Sequence, residues 1–231
     1  MELAPLIDAA PLYASGLLTT LQLLVAALAF GLVLALPLGV ARASANPWLA
    51  WPVAAYTFVI RGTPMLVQLF VIYYGLAQFD AMRESVLWVS LKSAWFCAVL
   101  ALALNTAAYT AEIVAGAIRA TPAGEIEAAK SVGMSSAQTF VRIVLPSALK
   151  RALPAYSNEV IMMLHATSLA SLVTLVDLTG AARDVYSRTY LPFEAYITAG
   201  LIYLGLTLIL VHVFRRAETR WLKHLAARPA T

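Results

Sequence analysis

Charge is what this sequence has least of. Asp, Glu, Lys and Arg make up 12% of its 231 residues, hydrophobic residues make up 61%, and the mean hydropathy is +0.80. Soluble domains carry about 25% charged and about 45–50% apolar residues. The composition therefore excludes a disordered chain and a nucleic-acid binder of the basic-patch kind. The net charge of +4 comes from sixteen Lys and Arg scattered among apolar runs, which read as topology signals. Cysteine is nearly missing: Cys97 stands alone inside an apolar run, so no internal disulfide and no disulfide-stapled fold is possible. Met1-Glu2-Leu3 lacks a basic region, and no small-residue cleavage site follows a short apolar core, so no signal peptide is expected. Catalytic signatures are missing too. No G-x-x-x-x-G-K-[ST] string occurs, and the nearest stretch, Gly124 to Lys130, lacks the second glycine. There is no H-E-x-x-H, no cysteine pair and no G-x-S-x-G, and three histidines without a close pair predict no metal site. Without an internal repeat or a low-complexity linker, residues 1–231 read as a single membrane domain.

Long apolar runs are what the sequence has in abundance. A spanning helix needs about 20 apolar residues, and five runs meet that need: about 16–41, 52–79, 94–117, 154–176 and 193–214. The predicted fold class is an all-α integral membrane protein of five transmembrane helices. The second run is split by Arg61-Gly62-Thr63-Pro64. Thr63 as N-cap with Pro64 in the first turn predicts that the stronger helix begins at Pro64, with the preceding piece lying at the interface. The fifth run ends at Arg215-Arg216. With the amino terminus outside, the inner segments hold Arg42, Arg61, Arg119, Lys130, Arg142, Lys150, Arg151, Arg215, Arg216, Arg220, Lys223 and Arg228, which is 12 of the 16 basic residues. Arg83, Lys92, Arg183 and Arg188 remain outside. The positive-inside rule then predicts a periplasmic amino terminus and a cytoplasmic carboxyl terminus. Trp48, Trp51, Trp88, Trp95 and Trp221 all fall near span ends, where interface anchors belong.

The segment 121–146, between the third and fourth spans, is the most informative loop. Thr121-Pro122 starts a helix, Glu125 and Glu127 sit near its positive end, and Gly133 stops it. Ser135-Ser136-Ala137-Gln138 reads as a capping box opening a second short helix, closed by Ile143, Val144 and Leu145 before Pro146. Two short helices joined at a glycine form an elbow suited to docking in another protein's groove. The structural alternative is a helical hairpin that caps the bundle.

Glu127-Ala128-Ala129, Gly133, Ile143 and Leu145-Pro146 resemble the EAA motif of permease subunits in bacterial ABC importers. Arg61-Gly62-Thr63-Pro64-Met65-Leu66-Val67-Gln68-Leu69-Phe70 is similar to a stretch of the polar amino-acid permeases, as is Ala111-Glu112-Ile113-Val114 with Gly116-Ala117-Ile118-Arg119. From Leu153 onward, LPAYSNEVIMMLHATSLA and FRRAETRWLKH resemble the M-type subunit of histidine, lysine, arginine and ornithine importers and of opine importers. The resemblance covers about residues 12–225. It implies that Glu127, Ala128, Ala129, Gly133, Ile143, Leu145 and Pro146 form a coupling helix that inserts into a cytoplasmic ATPase. Small Ala128 and Ala129 allow close approach, and Glu127 offers a charge. It further implies a bacterial inner-membrane location, a paralogous permease subunit as the other half of a heterodimer, two ATPase subunits and a periplasmic amino-acid-binding protein. ATP and Mg²⁺ would be held by the ATPases, and no cofactor by this chain. Many polar amino-acid permeases carry Lys where this sequence has His165. Because an imidazole repels a basic substrate less than a fixed ammonium does, the substitution points to basic or opine substrates.

Polar residues inside the spans are candidates for a substrate pathway, because charge in a bilayer is costly unless it faces a partner or water. Asn105, Tyr109, Glu112 and Gly116 follow a helical rhythm along one face of the third span. On the fourth, Asn158 and His165 are seven residues apart and aligned, Glu159 points about 100° away toward Met162 and Met163, and Ser168 adds polarity. Glu112 and Glu159 are each expected either to pair with an arginine such as Arg61 or Arg119, or to attract a cationic substrate. Asp177, Arg183, Asp184 and Arg188 form an outer segment available to a binding protein. His212 and His224 are expected at the interface or in solvent.

Two other classes compete with an ATP-driven importer. An ion-driven secondary transporter would show inverted repeats, and none is found. An intramembrane enzyme built on Glu112, Glu159 and His165 would leave the elbow without a purpose.

Overall fold

The computed structural model describes residues 8–222, so Glu2, Lys223, His224 and Arg228 lie outside the described residues. Every regular element among the described residues is helical. Three helices are long and apolar enough to cross a membrane, and the number rises to five if each of two bent helix pairs is one span.

The first helix, α1, covers Ala10–Ala43, beginning six residues before the apolar run at Gly16 because Pro11 and Leu12 already fit its first turn. At 34 residues it is about 50 Å long, well over the roughly 30 Å of hydrocarbon. Asn46 caps α2, Pro47–Arg61, by accepting from Trp48 N at 3.0 Å. Here the structure corrects the sequence reading: α2 is a regular 15-residue helix, whereas the piece after the break is the weaker one. That piece is α3, Met65–Phe70, followed by a π turn over Val71–Gly75 and a 3₁₀ turn over Leu76–Gln78. The two halves meet at 100°. Thr63 does not cap α3; its hydroxyl turns back to Val59 O at 2.9 Å.

Two short helices, α4 (Asp80–Arg83) and α5 (Trp88–Leu91), lead into α6, Ala94–Arg119. The elbow consists of α7 (Ala123–Ser131) and α8 (Ser136–Thr139), with Gly133 at φ +83° between them and the Ser135–Gln138 capping box in place. The second elbow helix does not close before Pro146. Pro146 has no N–H for the ladder, and the chain absorbs this in a π turn over Phe140–Val144 that runs straight into α9, Leu145–Ala166. The fourth span thus starts well before Pro154 and tightens into a 3₁₀ turn over Thr167–Val173. Asp177 then caps α10, Leu178–Thr189, and α11 runs from Pro192 to Trp221, passing through Arg215-Arg216 without ending.

α6 sits at the centre, against α1, α2 and α9. Alanine is the commonest residue on its buried face, including Ala98, Ala101, Ala107, Ala108, Ala111 and Ala115. Small residues let helix backbones approach closely, which is how membrane helices gain packing without a hydrophobic driving force. The matching positions on α1 are glycines: a Cβ on Gly39 would lie 2.7 Å from Cβ of Val114, and one on Gly31 would meet the Thr106 methyl. Around this seam Leu23, Leu24, Leu69, Leu102, Met163 and Leu164 form the largest core cluster. α11 lies at the edge and leaves Leu201, Leu204, Leu208 and Val213 exposed, an apolar face fit for lipid.

Candidate functional site

The break between α2 and α3 creates the site. Gly62-Thr63-Pro64 ends α2, leaving carbonyls at its terminus without helical partners. One side chain collects them: Gln68 Nε2 lies 2.6 Å from Ile60 O, 3.1 Å from Thr63 O and 2.8 Å from Thr63 Oγ1. Its Oε1 accepts from Asn105 Nδ2 at 2.9 Å, which ties the bend to α6. This is the physical reason for a glutamine four residues after Pro64, and the sequence reading passed over it.

Beside the bend lies a cavity of about 600 Å³. Arg61 and Met65 line it from the break, Asn105 and Tyr109 from α6, and Asn158 and Glu159 from α9. Five of the polar residues singled out in the sequence therefore meet in one place. The Arg61 guanidinium stands over the Tyr109 ring, 5.1 Å from its centroid. Glu159 is only 8% exposed, yet no ion pair involves it among the described residues.

Three other candidates lie elsewhere. Glu112 opens on a neighbouring recess with Arg42, Trp51, Thr57 and Phe58, which shares Arg61 with the first cavity. Its partner is neither Arg61 nor Arg119 but Arg42, whose Nε is 2.7 Å from Glu112 Oε1; Thr57 Oγ1 is equally close to the same oxygen. Arg119 donates instead to the carbonyl of Arg42. His165 and Ser168 face a third recess of about 320 Å³ with Thr179, Tyr196 and Tyr203, and His165 Nε2 is 3.1 Å from Thr207 Oγ1 on α11. Asn158 and His165 are aligned in angle, but seven residues are also about 10 Å along the axis. The cavity at the bend reaches from Asn158 to Ala166, and His165 itself turns to α11.

In the elbow, Glu127, Ala128 and Gly133 are exposed, while Ala129 is buried. Ile143 and Leu145 are half-buried and Pro146 is exposed. Thr121 is anchored to α9 through Arg151 Nη2 at 2.9 Å.

The binding-protein-dependent transport system inner membrane component family model matches residues 27–223. The chain belongs to that family. It is a multi-pass membrane permease subunit of a transport system, and not an enzyme. It is 46% identical to the nopaline transport system permease protein NocM of Agrobacterium fabrum, over 99% of this chain and 95% of that one. It is 47% identical to the histidine/lysine/arginine/ornithine transport system permease protein HisM of Salmonella typhimurium, over 93% of this chain and 92% of that one. Among solved structures, a chain of an amino acid ABC transporter with histidines superposes with a TM-score of 0.85 at 36% identity, covering 95% of this permease and 99% of that chain.

The segment 177–188 of the permease holds one group that the sequence reading misjudged. Asp177 is fully buried: Oδ1 accepts from Gly180 N at 2.9 Å and Oδ2 from the Tyr203 hydroxyl at 3.2 Å. It is a cap and a strut between α10 and α11, with no surface to offer a partner. Arg183 is exposed and donates one hydrogen bond to Ser171 O at 3.1 Å. The signal available in the sequence was Asp177 three residues before Gly180 at a helix start.

Proposed function

We propose that this permease subunit imports basic amino acids or opines across the bacterial inner membrane, powered by ATPase subunits docked on its elbow. The observation that carries the substrate reading is the cavity that joins Arg61, Asn105, Tyr109, Asn158 and Glu159, with Glu159 nearly buried and unpaired. An unpaired carboxylate in a bundle is costly unless a cation visits it. A substrate's basic group is such a cation, and the substrates in the names of the two relatives, nopaline and histidine, lysine, arginine and ornithine, agree with it. Glu112, His165 and Ser168 stand outside this cavity; Glu112 and His165 join neighbouring helices, and Ser168 bonds back to the His165 carbonyl.

The distribution of basic residues supports an amino terminus in the periplasm and a carboxyl terminus in the cytoplasm. On that topology the elbow faces the cytoplasm, and exposed Glu127, Ala128 and Gly133 supply the surface that an ATPase subunit grips. Ile143, Leu145 and Pro146 pass its motion into α9, because the second elbow helix runs without a break into that helix. A second, paralogous permease subunit forms the other half of the pathway, two ATPases bind the ATP and Mg²⁺, and a periplasmic binding protein delivers the amino acid. Closure of the ATPases rocks the spans between inward- and outward-facing packings.

Replacing Glu159 with Gln in the assembled transporter tests the site. Uptake of basic substrates should fall at least tenfold while neutral substrates are affected much less. Equal loss for both classes, with poor assembly, would assign Glu159 to packing. Crosslinks from residues 121–146 test the topology. They should reach an ATPase subunit, and crosslinks only to periplasmic protein would sink the coupling role.

A further inference from the structure

Resting on the reading of this cavity as the substrate site, we infer that Arg61 receives the α-carboxylate of the transported amino acid while Glu159, in the same cavity, takes its cationic end.

The cavity contains one acid and one base that form no direct ion pair with each other. The ion pairs among the described residues are Arg42–Glu112 and Arg83–Asp80, and neither Arg61 nor Glu159 belongs to them. Glu112 shares the adjoining recess with Arg61, but its Oε1 is already held by Arg42 and Thr57 at 2.7 Å each. Arg61 is instead held by the Tyr109 ring. A cation–π contact uses the charge of a guanidinium and accepts no hydrogen bond from its planar fork of N–H donors, which matches a carboxylate.

Around this pair the remaining polar groups are divided. Asn105 has its amide committed to Gln68 Oε1, whereas Asn158 is exposed to the cavity and makes no side-chain hydrogen bond to the protein among the described residues. Thr63 also lines the cavity, with its hydroxyl already bonded to Val59 O and Gln68, and Met65, Met162 and Met163 supply an apolar wall. A void of about 600 Å³ with opposite charges and a methionine wall complements a zwitterion with an aliphatic stem. A ligand with the same cationic group but no carboxylate satisfies Glu159 and leaves Arg61 unused, and so it binds less well. Arg61 is thus the residue that distinguishes amino acids from amines.

The bland role for Arg61 is to offset the negative end of α2, whose last residue it is. That role predicts an effect on stability that does not depend on the ligand. The experiment is equilibrium binding of radiolabelled L-arginine and of its decarboxylated counterpart, agmatine, to the complete transporter in nanodiscs without binding protein. The wild type should prefer L-arginine by about tenfold or more, as charge-assisted bidentate bonds are the strong ones. Arg61→Gln should weaken L-arginine about tenfold while leaving agmatine within about threefold, so the preference collapses. Arg61→Lys keeps the charge but loses the fork, and should show a reduced preference.

A wild-type preference persisting in Arg61→Gln, whether both ligands weaken or neither does, overturns the inference. Should that variant fail to assemble, Arg61→Lys decides: an unchanged ratio overturns the inference and a reduced one supports it. Glu159→Gln separates the two layers. If it leaves L-arginine binding intact, or the wild type binds no L-arginine, the site reading fails and the inference goes with it. If it weakens L-arginine while Arg61→Gln keeps the ratio, the inference alone fails.

Discussion

Arg42 and Glu112 join α1 to α6 through a 2.7 Å ion pair, and Thr57 brings α2 onto the same carboxylate oxygen. Three helices are therefore fastened at one point in the recess beside the cavity, and Arg119 adds a bond to the Arg42 carbonyl. The pair is partly exposed, at 26% and 19% for the two side chains, so water tempers its strength.

Glu112→Gln removes the charge while keeping the shape. Hydrogen bonds to charged groups contribute about 1.5–3 kcal/mol, and a loss of that order should appear in the thermal unfolding of the purified complex. Arg42→Gln should cost a similar amount, and the double variant less than the sum, since both remove one interaction. Additive losses in this cycle would show that the two residues act independently.

Gly133 stands at φ +83°, where a Cβ meets steric resistance even though the space around it is open. Gly133→Ala should cost about 1–2 kcal/mol of local strain, and Gly133→Asp adds a charge to the exposed elbow. The expected outcome for the aspartate variant is ATP hydrolysis uncoupled from uptake, or failure to assemble with the ATPase subunits. Measuring both rates in proteoliposomes checks this, and normal coupled transport would count against the elbow's role.

Gln68→Leu leaves Ile60 and Thr63 carbonyls without their donor and frees Asn105. Ile60 is half-buried and Thr63 exposed, so water replaces part of what is lost and each bond contributes about 0.5–1.5 kcal/mol. The bend should loosen, with lower transport and faster hydrogen exchange at Met65–Phe70 amides. Gln68→Glu, which keeps the length but removes the amide donor, should be no better than leucine. Full transport in both variants would mean that Pro64 and Gly62 hold the bend unaided.

Gly39→Leu places a side chain where Val114 already stands within 2.7 Å of a bare Cβ. Overpacking costs about 1–3 kcal/mol, and Gly39→Ala should cost less. Melting temperatures of the two variants should rank in that order, and a Leu variant as stable as the wild type would show that α1 and α6 are free to separate.

Asp177→Ala removes a helix cap and an interhelical bond together. A lost cap costs about 0.5–2 kcal/mol, so α10 amides near Gly180 should exchange faster. Asp177→Asn keeps an acceptor for Gly180 N and should retain much of the protection. Equal exchange in wild type and alanine variant would remove Asp177 from the account of how α10 is held.

The sequence alone determined the membrane character, the five apolar runs, the helix start at Ala94, the turn at Gly133 and the capping box at Ser135. Each is a local matter, set by hydropathy over about 20 residues, by a positive φ, or by a side chain reaching its own backbone three positions on. Tertiary structure decided the rest. Gly62 and Pro64 mark a break, but the 100° angle depends on Gln68 and on its tether to Asn105, 37 residues away. Glu112 calls for a cation, yet Arg42, Arg61 and Arg119 are equally plausible until the helices pack, because the choice among them is a distance across space. The same holds for Asn158 and His165, which share a helical angle and still face different recesses. Helical periodicity fixes direction around an axis and says nothing of which neighbour waits at each height.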